Sequence, residues 1–214
     1  LITLQHKHRL MKRLILLSAF AIAVFTLVSF KKNTVIPATA GHVEVSDTIL
    51  FEGEKHFANV QQLTFGGDNA EAYWSYDSKY LVFQRTNIKD GIPCDQIFMG
   101  KVPKKAGDKF DYKLISTGKG RTTCPFFTKD GKHIIYASTH LGSSECPPAP
   151  DRAKYGNKYI WPLYESFDIF MADLDGKIVK QLTTSKGYDA EATLSPDGEQ
   201  MLYTSDKDGD IDLY

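Results

Sequence analysis

Two short stretches place acidic residues in the same frame. Asp189-Ala-Glu191-Ala stands near the C-terminal end, and Asn69-Ala-Glu71-Ala, preceded by Asp68, stands in the first half of the chain. Such carboxylates can form an acidic rim that receives a partner or a cation, or they can bond backbone N–H groups of an incoming loop. A second candidate is the stretch from His140 to Ser166, "HLGSSECPPAPDRAKYGNKYIWPLYES". Its CPPAP run is stiff and extended. It carries Tyr155, Tyr159, Trp161 and Tyr164, and His140 stands at its start. Aromatics on an exposed loop suit recognition, or they form a lid over a sheet edge.

Other constellations are missing. There is no G-x-S-x-G elbow and no H-E-x-x-H pair, so no catalytic residue is expected within this chain. The run "DKDGDID", Asp206 to Asp212, resembles a calcium loop only superficially. An EF-hand needs Gly at its sixth position and Glu at its twelfth. Here the Asp-Gly pair reads as a turn, and no metal or cofactor is implied. His6, His8 and His42 fall in or near the N-terminal segment, and His133 falls in a predicted strand. Cys94, Cys124 and Cys146 are odd in number and lack C-x-x-C spacing, which argues against a redox or zinc motif.

The elements that must position these groups are strands. Apolar residues make up 42% and aromatic residues 12% of the 214 residues, enough for a packed core and rich in sheet formers. Of 26 basic residues, Lys7, Arg9, Lys12, Arg13, Lys31 and Lys32 precede residue 41, where there is no acid. The remainder, 20 bases against 26 acids, carries a net charge of −6, the wrong sign for a nucleic-acid partner.

Met11, two basic residues and the apolar run Leu14 to Phe30 have the layout of a secretory signal, with residues 1–10 as an upstream extension. Ala38 to Ala40 offers a cleavage site. The same run is nearly long enough to remain as a membrane anchor, which would be the protein's only membrane contact. The expected compartment is the periplasm or cell surface, with residues 41–58 as a lead-in.

After residue 59 the sequence repeats. "EAYWS", "CPFFT" and "EATLS" each end in a hydroxyl, at Ser75, Thr128 and Ser195. Each is followed by a tight turn (Tyr76-Asp77-Ser78, Lys129-Asp130-Gly131, Pro196-Asp197-Gly198) and then by a β-rich strand, "KYLVFQRT", "KHIIYAST" or "EQMLYTSD". Third strands follow: "DQIFMGKV", "FDIFMADL" and "DIDLY". "DLDGK" turns into a fourth, "KIVKQLT", which "NVQQLT", Asn59 to Thr64, matches. Without its inserts each unit approaches the roughly 40–45 residues of a four-stranded propeller blade. The predicted fold is an all-β propeller of antiparallel blades over residues 59–214, with under three complete blades. Tyr214 falls inside a third strand, so the chain reads as the N-terminal part of a longer protein.

The order Gln-Leu-Thr, Asp-Ala-Glu-Ala, Ser-Pro-Asp-Gly, Thr-Ser-Asp, Asp-Gly-Asp-Ile-Asp-Leu-Tyr resembles the repeat of TolB-type β-propellers. The resemblance implies a non-enzymatic scaffold that binds an envelope protein or peptide, in a role like that of the Tol–Pal system. The alternative is the substrate-gating propeller of a prolyl-oligopeptidase-like exported hydrolase, with its catalytic domain beyond residue 214. In a propeller the first strand is innermost, which puts Asp68, Glu71, Asp189 and Glu191 near the channel mouth. The same geometry places all three cysteines on one rim. The expected disulfide is Cys94–Cys124, with Cys124–Cys146 second and three free thiols as the other outcome.

Overall fold

The computed structural model describes residues 52–57, 60–105, 107–156 and 158–214. The expected signal or anchor over residues 1–40 lies outside them, as does most of the 41–58 lead-in. Among the described residues no helix is long and apolar enough to cross a membrane.

The described residues form eleven strands in three antiparallel sheets, taken in chain order. The first holds β1 (Asp68–Trp74), β2 (Tyr80–Asn87), β3 (Ile92–Lys101) and β4 (Tyr112–Leu114). The second holds β5 (Thr122–Phe127), β6 (His133–Ser138), β7 (Asp168–Asp173) and β8 (Ile178–Gln181). The third holds β9 (Asp189–Leu194), β10 (Met201–Ser205) and β11 (Asp212–Leu213). Each strand pairs with the next in sequence, and the first strands β1, β5 and β9 lie beside one another. The sheets are the expected blades, with the first strand of each innermost. The first strands begin at Asp68, Thr122 and Asp189, two or three residues before the expected starts at Glu71, Cys124 and Glu191.

Blades pack face to face because their strands are apolar on both sides. Ile134 and Ile135 are neighbours on β6, both fully buried. Ile134 joins Val82, Ile97 and Met99 of the first blade, while Ile135 joins Tyr188, Ala190 and Ala192 of the third. Side chains alternate across a strand, so a middle blade needs continuous apolar runs such as "HIIYA". Each such isoleucine contributes about 1.5–3 kcal/mol by burial. On the far face of the first blade, Phe83, Phe98 and Phe110 pack together with Leu63 and Leu81.

The repeated hydroxyl and aspartate build the first hairpin of each blade. The Thr128 hydroxyl donates to Asp130 at 2.6 Å, Asp130 accepts the Lys132 N–H at 2.9 Å, and Thr128 Oγ1 accepts the His133 N–H at 3.1 Å. Ser75 with Asp77, and Ser195 with Asp197, repeat the arrangement. The hydroxyl bonds, then the backbone N–H groups, hold the carboxyls of Asp130 and Asp197 below the usual carboxylate range, and at Asp77 the Lys79 ammonium, then Ser75, does the same. The turn closes on a left-handed residue, Gly131 at φ 65° and Gly198 at φ 81°. In the first blade that place is taken by Ser78, at φ 55°.

A second hydroxyl fastens the fourth strand. Ser116 Oγ accepts the Ile97 N–H at 2.9 Å, and Thr183 Oγ1 accepts the Ile169 N–H at 2.9 Å. The Gln-Leu-Thr of residues 62–64 repeats Gln181-Leu182-Thr183, but residues 60–64 form no strand here. Strand ladders need a partner, and among the described residues no third strand lies beside this segment.

Candidate functional site

Every first strand is broken at the same place. Glu71 and Ala72 lie opposite Phe83 alone, Cys124 and Pro125 opposite Tyr136, and Glu191 and Ala192 opposite Tyr203. These are β-bulges, in which one extra residue interrupts the ladder. The leading residue takes a left-handed backbone each time: Glu71 at φ 50°, Cys124 at φ 48° and Glu191 at φ 58°. With Ser78 they are the only described non-glycine residues at positive φ. The cost for such residues is about 1–2 kcal/mol each, held in place by the surrounding ladder.

The three bulges converge on one cavity of about 210 Å³, lined by Glu71, Tyr73, Cys124, Phe126, Glu191 and Thr193 among others. Each carboxylate is held by a hydroxyl of its own blade. Tyr73 donates to Glu71 Oε2 at 2.9 Å, and Thr204 donates to Glu191 Oε2 at 2.9 Å. The Tyr73 ring reaches across to Phe126 of the second blade, 5.5 Å between centroids. Burial and the neighbouring Glu71 push its hydroxyl up to about 12. Burial, then Glu71 and Glu191, push the Cys124 thiol up to about 11. Near neutral pH it is therefore a thiol and a poor nucleophile. The cavity lining holds two carboxylates and no basic side chain, a surface suited to a cationic group.

The sequence-predicted acids separate into two kinds. Glu71 and Glu191 are exposed and share the cavity. Asp189 is fully buried, accepting from Ser205 Oγ at 2.6 Å and from the Ser185 hydroxyl. It is a cross-strand fastener and not part of an open rim. Asp68 begins β1 opposite Thr86, is exposed and does not line the cavity. Beside Asp189, one oxygen of Asp168 accepts from Gln181 at 3.1 Å, while the other is buried without a partner among the described residues. Burial first, and then Asp189, raise the Asp168 carboxyl above its ordinary range.

The cysteine pairing differs from expectation. Cys94 is bonded to Cys146, with Cα atoms 5.9 Å apart, and Cys124 is free. The bulge carries Cys124 to the cavity, away from Cys94. The insert folds back over β3 instead, where Ser144 accepts the Gly120 N–H at 2.9 Å and Cys146 lies near Pro93. Neither Cys94–Cys124 nor Cys124–Cys146 forms.

The insert is part lid, part open surface. The Trp161 indole donates to the buried Tyr188 hydroxyl at 3.2 Å, and the Tyr164 hydroxyl donates to the Pro148 carbonyl at 2.8 Å. Tyr159 stays exposed, with Arg152 5.5 Å above its ring. His140 packs on Phe170, 4.5 Å between centroids, and contacts Ser138 Oγ at 2.9 Å. Burial, then Lys119, lower its pKa, so it is a neutral packing residue. Tyr73 was missed in the sequence; its only signal was its place two residues after Glu71. Gln84 was missed as well. It accepts the Thr123 hydroxyl at 3.1 Å and the Cys124 N–H at 3.3 Å, tying the second bulge to the first blade.

No family model matches the chain. Among solved structures it is similar to a TolB-type protein from Agrobacterium tumefaciens, at 19% identity and a TM-score of 0.50, over 71% of this chain and 46% of that one. A second is TolB from Acinetobacter baumannii, at 20% identity and a TM-score of 0.46, over 69% of this chain and 29% of that one. The chain thus spans under half the length of either structure. The likeness to the first is one of fold: antiparallel four-stranded blades of a partial propeller.

Proposed function

We propose that this chain is the blade array of a TolB-like scaffold in the cell envelope, and that it binds a protein or peptide at the cavity where the inner strands meet. The observation that carries the reading is the convergence of Glu71, Cys124 and Glu191, one from each blade, on a single opening. A rigid scaffold presenting two hydroxyl-held carboxylates fits the ammonium or guanidinium of a partner. A thiol held protonated offers no nucleophile, which favours binding over chemistry. The bonded pair Cys94–Cys146 and the signal-like N-terminal sequence support an oxidising, exported location. The Tol–Pal-like role rests on the fold resemblance alone.

The test is a photo-crosslinking residue at position 73, used in intact cells. The expected result is one envelope protein trapped at this site and lost when Glu71→Lys and Glu191→Lys are combined. No adduct, or an adduct indifferent to both charges, would reject the reading. So would recovery of the whole protein from the cytoplasm with its N-terminal segment intact.

A further inference from the structure

The junction between the first and second blades is closed by an amide, and the junction between the second and third has a carboxyl at the same place. Gln96 precedes Ile97 on β3 and lies opposite Arg85, while Asp168 precedes Ile169 on β7 and lies opposite Ser138. Ile97 and Ile169 are equivalent, since the carbonyl of each accepts the N–H of a fourth-strand residue, Ile115 or Leu182. Asp168 therefore occupies the position of Gln96. The buried Gln96 amide donates to the Gly120 carbonyl of the next blade at 2.8 Å, and its oxygen accepts from Ser116 Oγ at 2.7 Å.

The counterpart of Gly120 is Gly187. Both take a left-handed backbone, at φ 60° and 116°, two residues before the first strand of their blade. In each case the next residue, Arg121 or Tyr188, offers its carbonyl to the N–H just beyond the second strand, that of Thr139 or Asp206. The two backbones are closer at the second junction. There the Asp189 N–H bonds the Phe167 carbonyl directly at 3.0 Å, whereas its counterpart Thr122 reaches the Asp95 carbonyl through its hydroxyl. That closeness matches the shorter side chain of Asp168.

An ionised Asp168 cannot do what Gln96 does, because it has acceptor oxygens and no donor. Its Oδ2 accepts from Gln181 at 3.1 Å, and its Oδ1 is buried without a partner among the described residues. A buried unpaired acceptor is unfavourable. The charged group acting on Asp168 is Asp189 of β9, itself buried and held by Ser205 and Ser185. β8 presents the neutral Gln181, and β6 presents Ser138, on whose Oγ the neutral His140 ring lies at 2.9 Å. Asp206 is taken up by the Tyr188 N–H at 2.7 Å, and Glu165 and Lys186 are exposed. Burial and Asp189 both favour the proton on Asp168.

We propose that Asp168 is a proton-operated latch between the second and third blades. Protonated, its O–H donates to the Gly187 carbonyl as the Gln96 amide donates to Gly120. Ionised, it loses that donor and faces Asp189 as a like charge, so the junction loosens. The latch is closed in acid and opens as pH rises through the folded value. What it controls lies one residue beyond Gly187. The hydroxyl of the buried Tyr188 accepts the Trp161 indole N–H at 3.2 Å, so the head of β9 holds the aromatic end of the insert. The latch sets how firmly the insert is seated, independently of any partner at the inner cavity.

Trp74→Phe leaves Trp161 as the only tryptophan of the 214-residue chain. Its fluorescence should then show one transition with pH, with a midpoint above the ordinary carboxylate value of 3.8. Hydrogen exchange over residues 185–190, corrected for its intrinsic pH dependence, should be severalfold slower on the acid side. Asp168→Asn should abolish the transition and keep the slow exchange at every pH, since its amide is a permanent donor. Gln96→Glu should create a second such junction, with exchange over residues 119–122 slowed by acid where the wild type is flat. A flat wild-type response, or a transition that persists in Asp168→Asn and so belongs to Asp189 or His140, overturns the proposal. So does a Gln96→Glu junction that stays indifferent to pH.

Discussion

Glu71 and Glu191 occupy the same bulge position in their respective blades and line one cavity, with Cys124 contributed by the blade between them. Cys124 is therefore a reporter of that cavity's charge. At pH 8 its thiol, raised to about 11, should react slowly with an uncharged alkylating reagent. Glu71→Gln with Glu191→Gln should speed the reaction severalfold by removing the negative neighbours. A thiol count should find one group in the denatured, unreduced protein and three after reduction. Three before reduction would rule out the Cys94–Cys146 bond.

Breaking that bond should loosen the insert and the blade it is fastened to. Cysteines 52 positions apart constrain the unfolded chain strongly, so Cys146→Ser should lower stability by about 2–4 kcal/mol. Reductant should lower the wild type to the same level and leave the variant unchanged. Denaturant titration with and without reductant checks this.

Ser78 holds a left-handed turn that the other two blades give to glycine. Ser78→Gly should stabilise by about 0.5 kcal/mol, the relief of a side chain at φ 55° less the extra freedom of the unfolded glycine. Gly131→Ala should do the reverse, by about 1 kcal/mol, since its Cβ meets no atom and only the backbone objects. Thermal unfolding distinguishes the two signs.

Asp168 should make the protein less stable as pH rises. Its folded pKa lies above the unfolded value of 3.8, so folding favours the protonated form. The penalty is fully present above the raised folded value and disappears as pH falls through it towards 3.8 and below. Asp168→Asn should therefore be more stable than wild type near pH 7 and equal to it in acid. A stabilising effect that did not shrink with falling pH would place its cause elsewhere.

The blade repeat was legible because its markers are local. A hydroxyl, an aspartate and a glycine at fixed offsets make a turn wherever they occur, and the structure shows the turn three times. The cavity was half legible. Glu71 and Glu191 stood out by repetition, but Cys124 occupies the same position with a different side chain and was read only as a disulfide candidate. Asp189 was misplaced because a buried and an exposed aspartate look alike in a sequence. Its partners are Ser205, which recurs as Ser138 in the second blade, and Ser185, and neither marks a neighbouring aspartate as buried in a sequence. The Cys94–Cys146 pairing depends on the path of an irregular insert, which no periodicity encodes.

The bulges have a consequence for how this protein can change over time. The backbone kink is set by the ladder on either side, so the side chain projecting from it contributes little to holding the blade. Glutamate, cysteine and glutamate are three spellings at one position of the repeat. Each blade therefore offers one independently editable letter, and the chemical identity of the opening can be rewritten without redrawing the blades around it.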